Sequence, residues 1–244
     1  MRYLILSDLH ANLQALDATL ADAATVGYDE VLILGDLVGY GGDPAAVIDR
    51  TMGLSSRWLI RGNHDKVCAG IESPVLFNDV ARIAAEWTHD TLSPDHLATL
   101  AKLPMGPVQV SPEIEICHGA PFDEDYYVFE ETDAARAMAS ATARICLFGH
   151  THVPTLFAKA DDPFGGQMDG ADEYRLPVSG PALINVGSVG QPRDRDPRAA
   201  YGLLDTDRGT ITLRRVAYDI AGAQAQIVAA GLPAWLALRL ERGQ

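Results

Sequence analysis

Three continuous apolar runs within the first 65 residues restrict this chain to a narrow class of folds. They are Tyr3 to Leu6, Val31 to Leu34 and Trp58 to Ile60, and each stops at a polar cluster: Ser7-Asp8-Leu9-His10, Gly35-Asp36 and Gly62-Asn63-His64-Asp65. Runs this short and this apolar read as strands buried on both faces. Helix signals separate them. Asn12 is a candidate N-cap for a segment with Leu13, Leu16 and Leu20 near one face, ended by Gly27. Asp43-Pro44 reads as N-cap and first helical residue of a second segment through Met52. The order β-α-β-α-β predicts an α/β fold with a parallel sheet covered by helices. Ligands of such sheets bind outside the carboxyl ends of the strands, which places Asp8, Asp36 and Asn63 along one edge.

Residues 70–104 read as helical, with Asn78 or Asp79 capping one helix and Ser93-Pro94 opening another. His89 and His96 lie there as ordinary exposed or packed histidines. Val108 to Val110 and Ile114 to Cys117 read as strands, the second ending at His118-Gly119. Residues 121–131 mix acids with Tyr126, Tyr127 and Phe129, as a solvated loop or as a lip over a site. Thr132 is a candidate cap for the next helix. Arg144 to Phe148 is a strand ending at Gly149-His150-Thr151-His152, and residues 161–171 read as a surface loop rich in Asp and Gly. A strand at Leu183 to Val186, a hairpin around Asp207-Arg208-Gly209 and two terminal helices complete the pattern, with no domain boundary over 1–244.

Five of the seven histidines fall in the polar clusters at strand exits. Carboxylate, amide and imidazole groups in such places are divalent-cation ligands. Asp8 and His10 can turn toward one ion from a single loop, and Asp36 has enough lone pairs to bridge two. Asn63 offers a neutral oxygen; His118, His150 and His152 offer ring nitrogens. Oxygen and nitrogen donors without thiolate suit Mn, Fe, Zn or Co, with Mn favoured, over Ca or Mg. Each piece alone is common; together, in order and at successive strand exits, they point to a site.

The set Asp8-x-His10, Gly35-Asp36, Gly62-Asn63-His64-Asp65, His118 and Gly149-His150-x-His152 resembles the calcineurin-like metallophosphoesterase superfamily. Gly35 to Gly41, reading Gly-Asp-Leu-Val-Gly-Tyr-Gly, is similar to its compact bacterial phosphodiesterase/phosphatase branch. The resemblance spans about residues 4–216. It implies a four-layer α-β-β-α sandwich with two mixed β-sheets and a dinuclear metal site at strand ends. It also implies a division of ligands: Asp8, His10 and His152 on one ion, Asn63, His118 and His150 on the other, Asp36 bridging, and His64 as a catalytic histidine that is not a ligand. Two such ions, about 3.5–4 Å apart, would lower the pKa of a bridging water for in-line attack on phosphorus. The sequence departs from the protein phosphatases of the superfamily at Gly39, where they carry an aspartate supporting the catalytic histidine. That departure favours a small phosphodiester or phosphomonoester, with a nucleotide a candidate.

Arg193, Arg195 and Arg198 follow a glycine-rich turn; an arginine here is a candidate clamp for a second phosphate, Arg193 and Arg195 first, or the three form a solvated loop paired with Asp194 and Asp196. Asn12 and Tyr126 are further substrate-contact candidates, Asn12 competing with its capping role. A net charge of −14 argues against a protein that grips nucleic-acid backbone, and so against a nuclease. A non-catalytic scaffold of the same fold is the alternative from another class. Three cysteines without CxxC spacing imply no disulfide framework, and Cys117 and Cys146 read as buried structural thiols. The N-terminal apolar run is too short for a signal peptide or a transmembrane helix, so a cytoplasmic protein without membrane contact is expected.

Overall fold

The computed structural model describes residues 1–158, 164–169 and 173–244. Its first elements are β1 (Arg2–Leu6), α1 (Leu13–Val26), β2 (Glu30–Ile33), α2 (Pro44–Met52), β3 (Arg57–Leu59) and α3 (Asn63–Cys68). This is the expected order, except that the third polar cluster opens a helix of its own. α4 (Asp79–Thr91) and α5 (Pro94–Ala101) follow, capped by Asn78 and Ser93 through bonds from Ala81 N and His96 N. Next come β4 (Val108–Ser111), β5 (Ile114–Ile116), α6 (Glu131–Ser140), β6 (Ile145–Phe148), β7 (Thr155–Ala158), β8 (Phe164–Gln167), β9 (Glu173–Arg175) and β10 (Ala182–Asn185). The hairpin β11 (Ala199–Asp205) and β12 (Thr210–Val216) precedes α7 (Ile220–Ala229) and α8 (Ala234–Leu238).

Among the described residues the strands form two six-stranded sheets, ordered β3-β2-β1-β11-β12-β9 and β4-β5-β6-β10-β7-β8. β1, β2 and β3 run parallel as their sequence implies, but β11 joins β1 antiparallel, so the first sheet is mixed. In the second, β5, β6 and β10 are parallel and β4 and β7 flank them antiparallel. Side-chain alternation sorts the layers. In β1, Leu4 and Leu6 pack with Leu16 and Leu20 of α1, while Tyr3 and Ile5 pack with Ile116, Ile145 and Leu147 of the other sheet. In β6, Cys146 and Phe148 face Ala134 and Ala137 of α6. The result is helix, sheet, sheet, helix, with the carboxyl ends of β1, β2, β3, β5 and β6 contributing to one buried cluster.

Several local expectations are corrected. α6 starts at Glu131 rather than after Thr132, because the Asp133 carboxylate accepts from the backbone of Phe129 and Glu130 at 3.1 and 3.2 Å. The loop expected over 161–171 lies partly outside the described residues, and its middle, Phe164–Gln167, pairs antiparallel with β7. β3 is an edge strand that leaves Trp58 36% exposed, not a strand buried on both faces. Among the described residues no helix is long and apolar enough to cross a membrane.

Candidate metal centre

The strand exits are sharply bent. Asp8, His10, Asp36, His150 and His152 all have left-handed backbones, with φ between 46° and 67°. This region is unfavourable for L-residues and persists where surrounding structure over-determines it. Here bonds between loops do so: Asp8 N to Gly35 O at 3.1 Å, His10 N to Asp36 O at 2.9 Å, and Gly149 N to His118 O at 2.8 Å. Asn185 clips the last loop by donating to Gly149 O and Thr151 Oγ1 at 2.7 and 3.0 Å.

These bends gather the predicted residues. Ligand atoms of Asp8, His10, Asp36 and His152 lie within 4.8 Å of one another, as do those of Asp36, His118 and His150. Asp36 belongs to both groups. Its Oδ2 is 3.5 Å from His10 Nε2 and 3.4 Å from His118 Nε2. Asn63 joins the second group, its Oδ1 3.2 Å from His118 Nε2. The six Asp and His side chains are at most 4% exposed.

The chemistry of this donor set identifies what it accommodates. A carbonyl oxygen can only accept, so a ring nitrogen bonded to one must carry hydrogen. His10 Nδ1 is 3.1 Å from Val38 O, His152 Nδ1 2.6 Å from Gln191 O, and His118 Nδ1 2.7 Å from Leu34 O. For His150 the other nitrogen is used, Nε2 at 3.1 Å from Asp125 O. His10, His150 and His152, as neutral rings, therefore each turn a bare lone pair inward. His10 Nε2 meets His152 Nε2 at 3.1 Å, and His150 Nδ1 meets His118 Nε2 at 3.2 Å. With Asp8 Oδ1 at 3.3 Å from His152 Nε2, acceptors converge on acceptors. Cations satisfy such an arrangement, and backbone carbonyls that fix the ring tautomer are the usual outer support of histidine ligands.

Electrostatics agree. Burial holds His10, His150 and His152 well below the usual imidazole range, so they are neutral and able to ligate. Burial also works against charge on His118, but Asp36 and Asp8 outweigh it and push that ring up to about 10, so its inward Nε2 holds a proton that a cation would displace. Burial raises Asp8 to about 7 against the opposing pull of His118. Two buried carboxylates on one centre demand positive charge.

His64 lies beside this cluster. Its backbone N–H donates to Asp36 Oδ1 at 2.9 Å, and its ring packs between Tyr40 and Phe77 with centroids 4.3 and 4.7 Å away. Burial lowers it to about 4, making it a neutral imidazole. Among the described residues its Nδ1 is buried without a partner, and it faces Gly39, where an added Cβ would overlap it. The support that Gly39 cannot supply is therefore not replaced by another carboxylate. The neighbouring Asp65 instead holds the turn: its carboxylate accepts from Leu37, Val38 and Gly62 N–H at 2.8, 3.2 and 2.9 Å.

The substrate-contact candidates separate. Asn12 caps α1, accepting from Ala15 N at 3.1 Å and donating to Gly190 O at 2.8 Å, so both ends of its amide are engaged. Tyr126 turns away from the cluster and donates to Asp133 at 2.9 Å; Tyr127 is the ring that covers His150, at 3.8 Å between centroids. The acids of this lip had a further purpose that its composition did not reveal: Glu124 is bound by Arg61 at 2.8 Å, and Asp125 by buried Lys66 at 2.5 Å. Arg193 is half-buried near the cluster, whereas Arg195 is exposed and bonds through its backbone to Gly243 O at 2.9 Å. Arg198 pairs with Asp196, and Arg215 with Asp194. Tyr40 was missed; it carried no signal beyond its glycine neighbours.

Comparison with known proteins gives a consistent picture. A profile of the calcineurin-like phosphoesterase superfamily domain matches residues 1–209. An uncharacterised protein of Methanocaldococcus jannaschii is 32% identical over 242 residues, covering 98% of this chain and 97% of its own. A crystal structure of a metallophosphoesterase from Sphaerobacter thermophilus is 38% identical with a TM-score of 0.89, covering 100% of this chain and 99% of that one. A hypothetical protein of Pyrococcus horikoshii shares the fold at 19% identity and a TM-score of 0.80, over 100% and 98% of the two chains.

Proposed function

The chain belongs to the calcineurin-like phosphoesterase superfamily, and from that premise we propose that it is a two-metal phosphoesterase acting on small phosphodiesters or phosphomonoesters. The observation that carries this reading is the convergence of ring nitrogens and carboxylate oxygens in two overlapping groups that share Asp36. Asp8, His10, His152 and Asp36 would hold one divalent ion, and Asp36, Asn63, His118 and His150 the other. The donor set favours Mn, Fe, Zn or Co. When bound, the ions supply Lewis acidity toward phosphoryl oxygens and an activated water.

The chain's own residues do the remainder. Val38, Gln191, Leu34 and Asp125 fix the ring tautomers through their carbonyls, so no reorientation is needed as substrate arrives. His64 is neutral and beside the cluster without being part of it. We assign it the hydrogen bond that steadies a phosphoryl oxygen and assists the leaving oxygen. Tyr127 and the lip anchored by Arg61 and Lys66 exclude water above His150. The protein is read as a single metallophosphoesterase domain over 1–244, and its net charge of −14 again favours small substrates over nucleic acid.

The test is an activity screen of protein reconstituted with Mn, Fe, Zn or Co. It compares phosphomonoesters, linear and cyclic phosphodiesters and phosphoanhydrides, each with a chelator control. Chelator-sensitive turnover of one class is expected. Absence of turnover on every class, with two ions bound, would assign the chain to a scaffold.

A further inference from the structure

Tyr40 gathers two guanidinium groups at the rim of the cluster. Its ring packs against His10 at 4.7 Å and His64 at 4.3 Å. Arg193 Cζ is 5.8 Å and Arg239 Cζ 5.9 Å from the same ring centroid. Arg193 comes from the loop after β10, and Arg239 ends the helix α8. Arg239 is positioned because Leu236 and Leu240 pack with Tyr40 and with Ala223 and Ile227 of α7. A narrow cleft beside Tyr40 is lined by His10, Gln191, Ile227 and Leu240.

Two half-buried cations at one ring oppose each other. Burial, then Arg193, lowers Arg239 to about 10. Several arginines that brace this fold end on carboxylates, as Arg61 does on Glu124, Arg214 on Asp22 and Arg215 on Asp194. Among the described residues, neither Arg193 nor Arg239 is paired with an Asp or Glu side chain. Arg193 donates through Nη2 to Gln191 Oε1 at 3.1 Å, and its buried Nε has no acceptor. Arg239 uses its Nε on a terminal main-chain oxygen of Gln244, the last residue. In a chain of net charge −14, two cations at one ring without an Asp or Glu partner are a place suited to an anion.

We propose that Arg193 and Arg239, gathered around Tyr40, form a subsite for a phosphoryl group separate from the one that the metal cluster takes. This rests on the phosphoesterase reading of the cluster. It adds α8, which lies beyond the matched residues 1–209, to the substrate-binding surface. The guanidinium fork matches phosphate oxygens, so a ligand with two phosphoryl groups close together reaches both places and a single phosphate reaches one. The second phosphoryl group comes either from the substrate or from free phosphate.

Imidodiphosphate and inorganic phosphate, titrated by calorimetry into manganese-loaded protein, test this. In Arg239→Gln the preference for imidodiphosphate falls about tenfold, and Arg239→Lys restores part of it. Arg50→Gln, an exposed control whose partner is Asp17, keeps the preference. A second phosphate per chain that Arg239→Gln abolishes assigns the subsite to free phosphate; one phosphate per chain with the lowered preference assigns it to the substrate. Unmoved affinities overturn the proposal, and so does equal weakening of both probes at unchanged stoichiometry. Thermal melts confirm that the variants fold. A protein that takes up no manganese fails the reading of the cluster, and the same titrations without metal still read the arginine pair.

Discussion

His10 and His152 turn their Nε2 atoms toward each other at 3.1 Å, although each ring has given its Nδ1 hydrogen to a backbone carbonyl. Lone pairs face each other there, and Asp8 and Asp36 add negative charge. Two divalent ions per chain are therefore expected by elemental analysis. His152→Ala should keep one, and Asp36→Asn should weaken both. Chelation should lower Tm by about 5–10 °C, the effect of losing a ligand present at 100 times its Kd. Two tightly held ions in Asp36→Asn would falsify the bridging assignment.

His64 touches Asp36 through its backbone and offers no ring nitrogen to either group of ligand atoms. His64→Ala should retain the ions and lose about 10²–10⁴ in kcat. Elemental analysis beside steady-state kinetics checks this. Loss of metal in that variant would make His64 a ligand instead.

Gly39 has φ +86°, and an added Cβ would overlap His64 Nδ1. Gly39→Ala should cost about 1–3 kcal/mol in denaturant unfolding and lower kcat by displacing the imidazole. Unchanged turnover with unchanged stability would show that the turn adapts freely.

Tyr127 covers His150, while Tyr126 is tied to Asp133. Tyr127→Ala should alter kcat/KM by tenfold or more (about 1.4 kcal/mol). Tyr126→Phe should leave kcat/KM within about twofold and lower stability slightly through its lost hydrogen bond. The reverse ranking in kinetics would return Tyr126 to the substrate surface.

Asp22 ties α1 to the hairpin: Arg214 binds it at 2.9 and 3.2 Å, and the buried Tyr201 hydroxyl donates to it at 2.7 Å. Arg214, against burial and with help from Tyr201, holds this carboxyl below its usual range. Because the folded pKa is depressed, its contribution is complete above the unfolded value of about 3.9 and is lost as pH falls through the folded one. Asp22→Asn should cost about 1 kcal/mol at pH 7, after allowing for solvent screening. Denaturant melts should show that gap closing as pH drops below about 3.9.

The legible part of the site was the part that strand pattern controls. Asp8, Asp36 and Asn63 could be placed at strand exits because continuous apolar runs stop just before them. His118 and His150 follow β5 and β6, which are parallel neighbours, so their meeting also traces to local pattern. Arg239 carried no such signal. It reaches Arg193 only because α7 and α8 fold back onto Tyr40 through Ala223, Ile227 and Leu236. Tyr126 and Tyr127 were equivalent as letters, and Asp133 separated them by accepting the hydroxyl of one.

By itself the sequence determined the kinds of donor, their order along the chain and their position at strand ends, because hydrophobic periodicity acts over a few residues. Tertiary structure decided which nitrogen of each histidine faces inward, since the deciding acceptors, Val38, Leu34, Gln191 and Asp125, are carbonyls from other loops. It also left His64 Nδ1 opposite a glycine, and it brought a terminal helix to the rim of the site. Those outcomes depend on directions in space between segments remote in sequence, which long-range packing sets and local pattern does not encode.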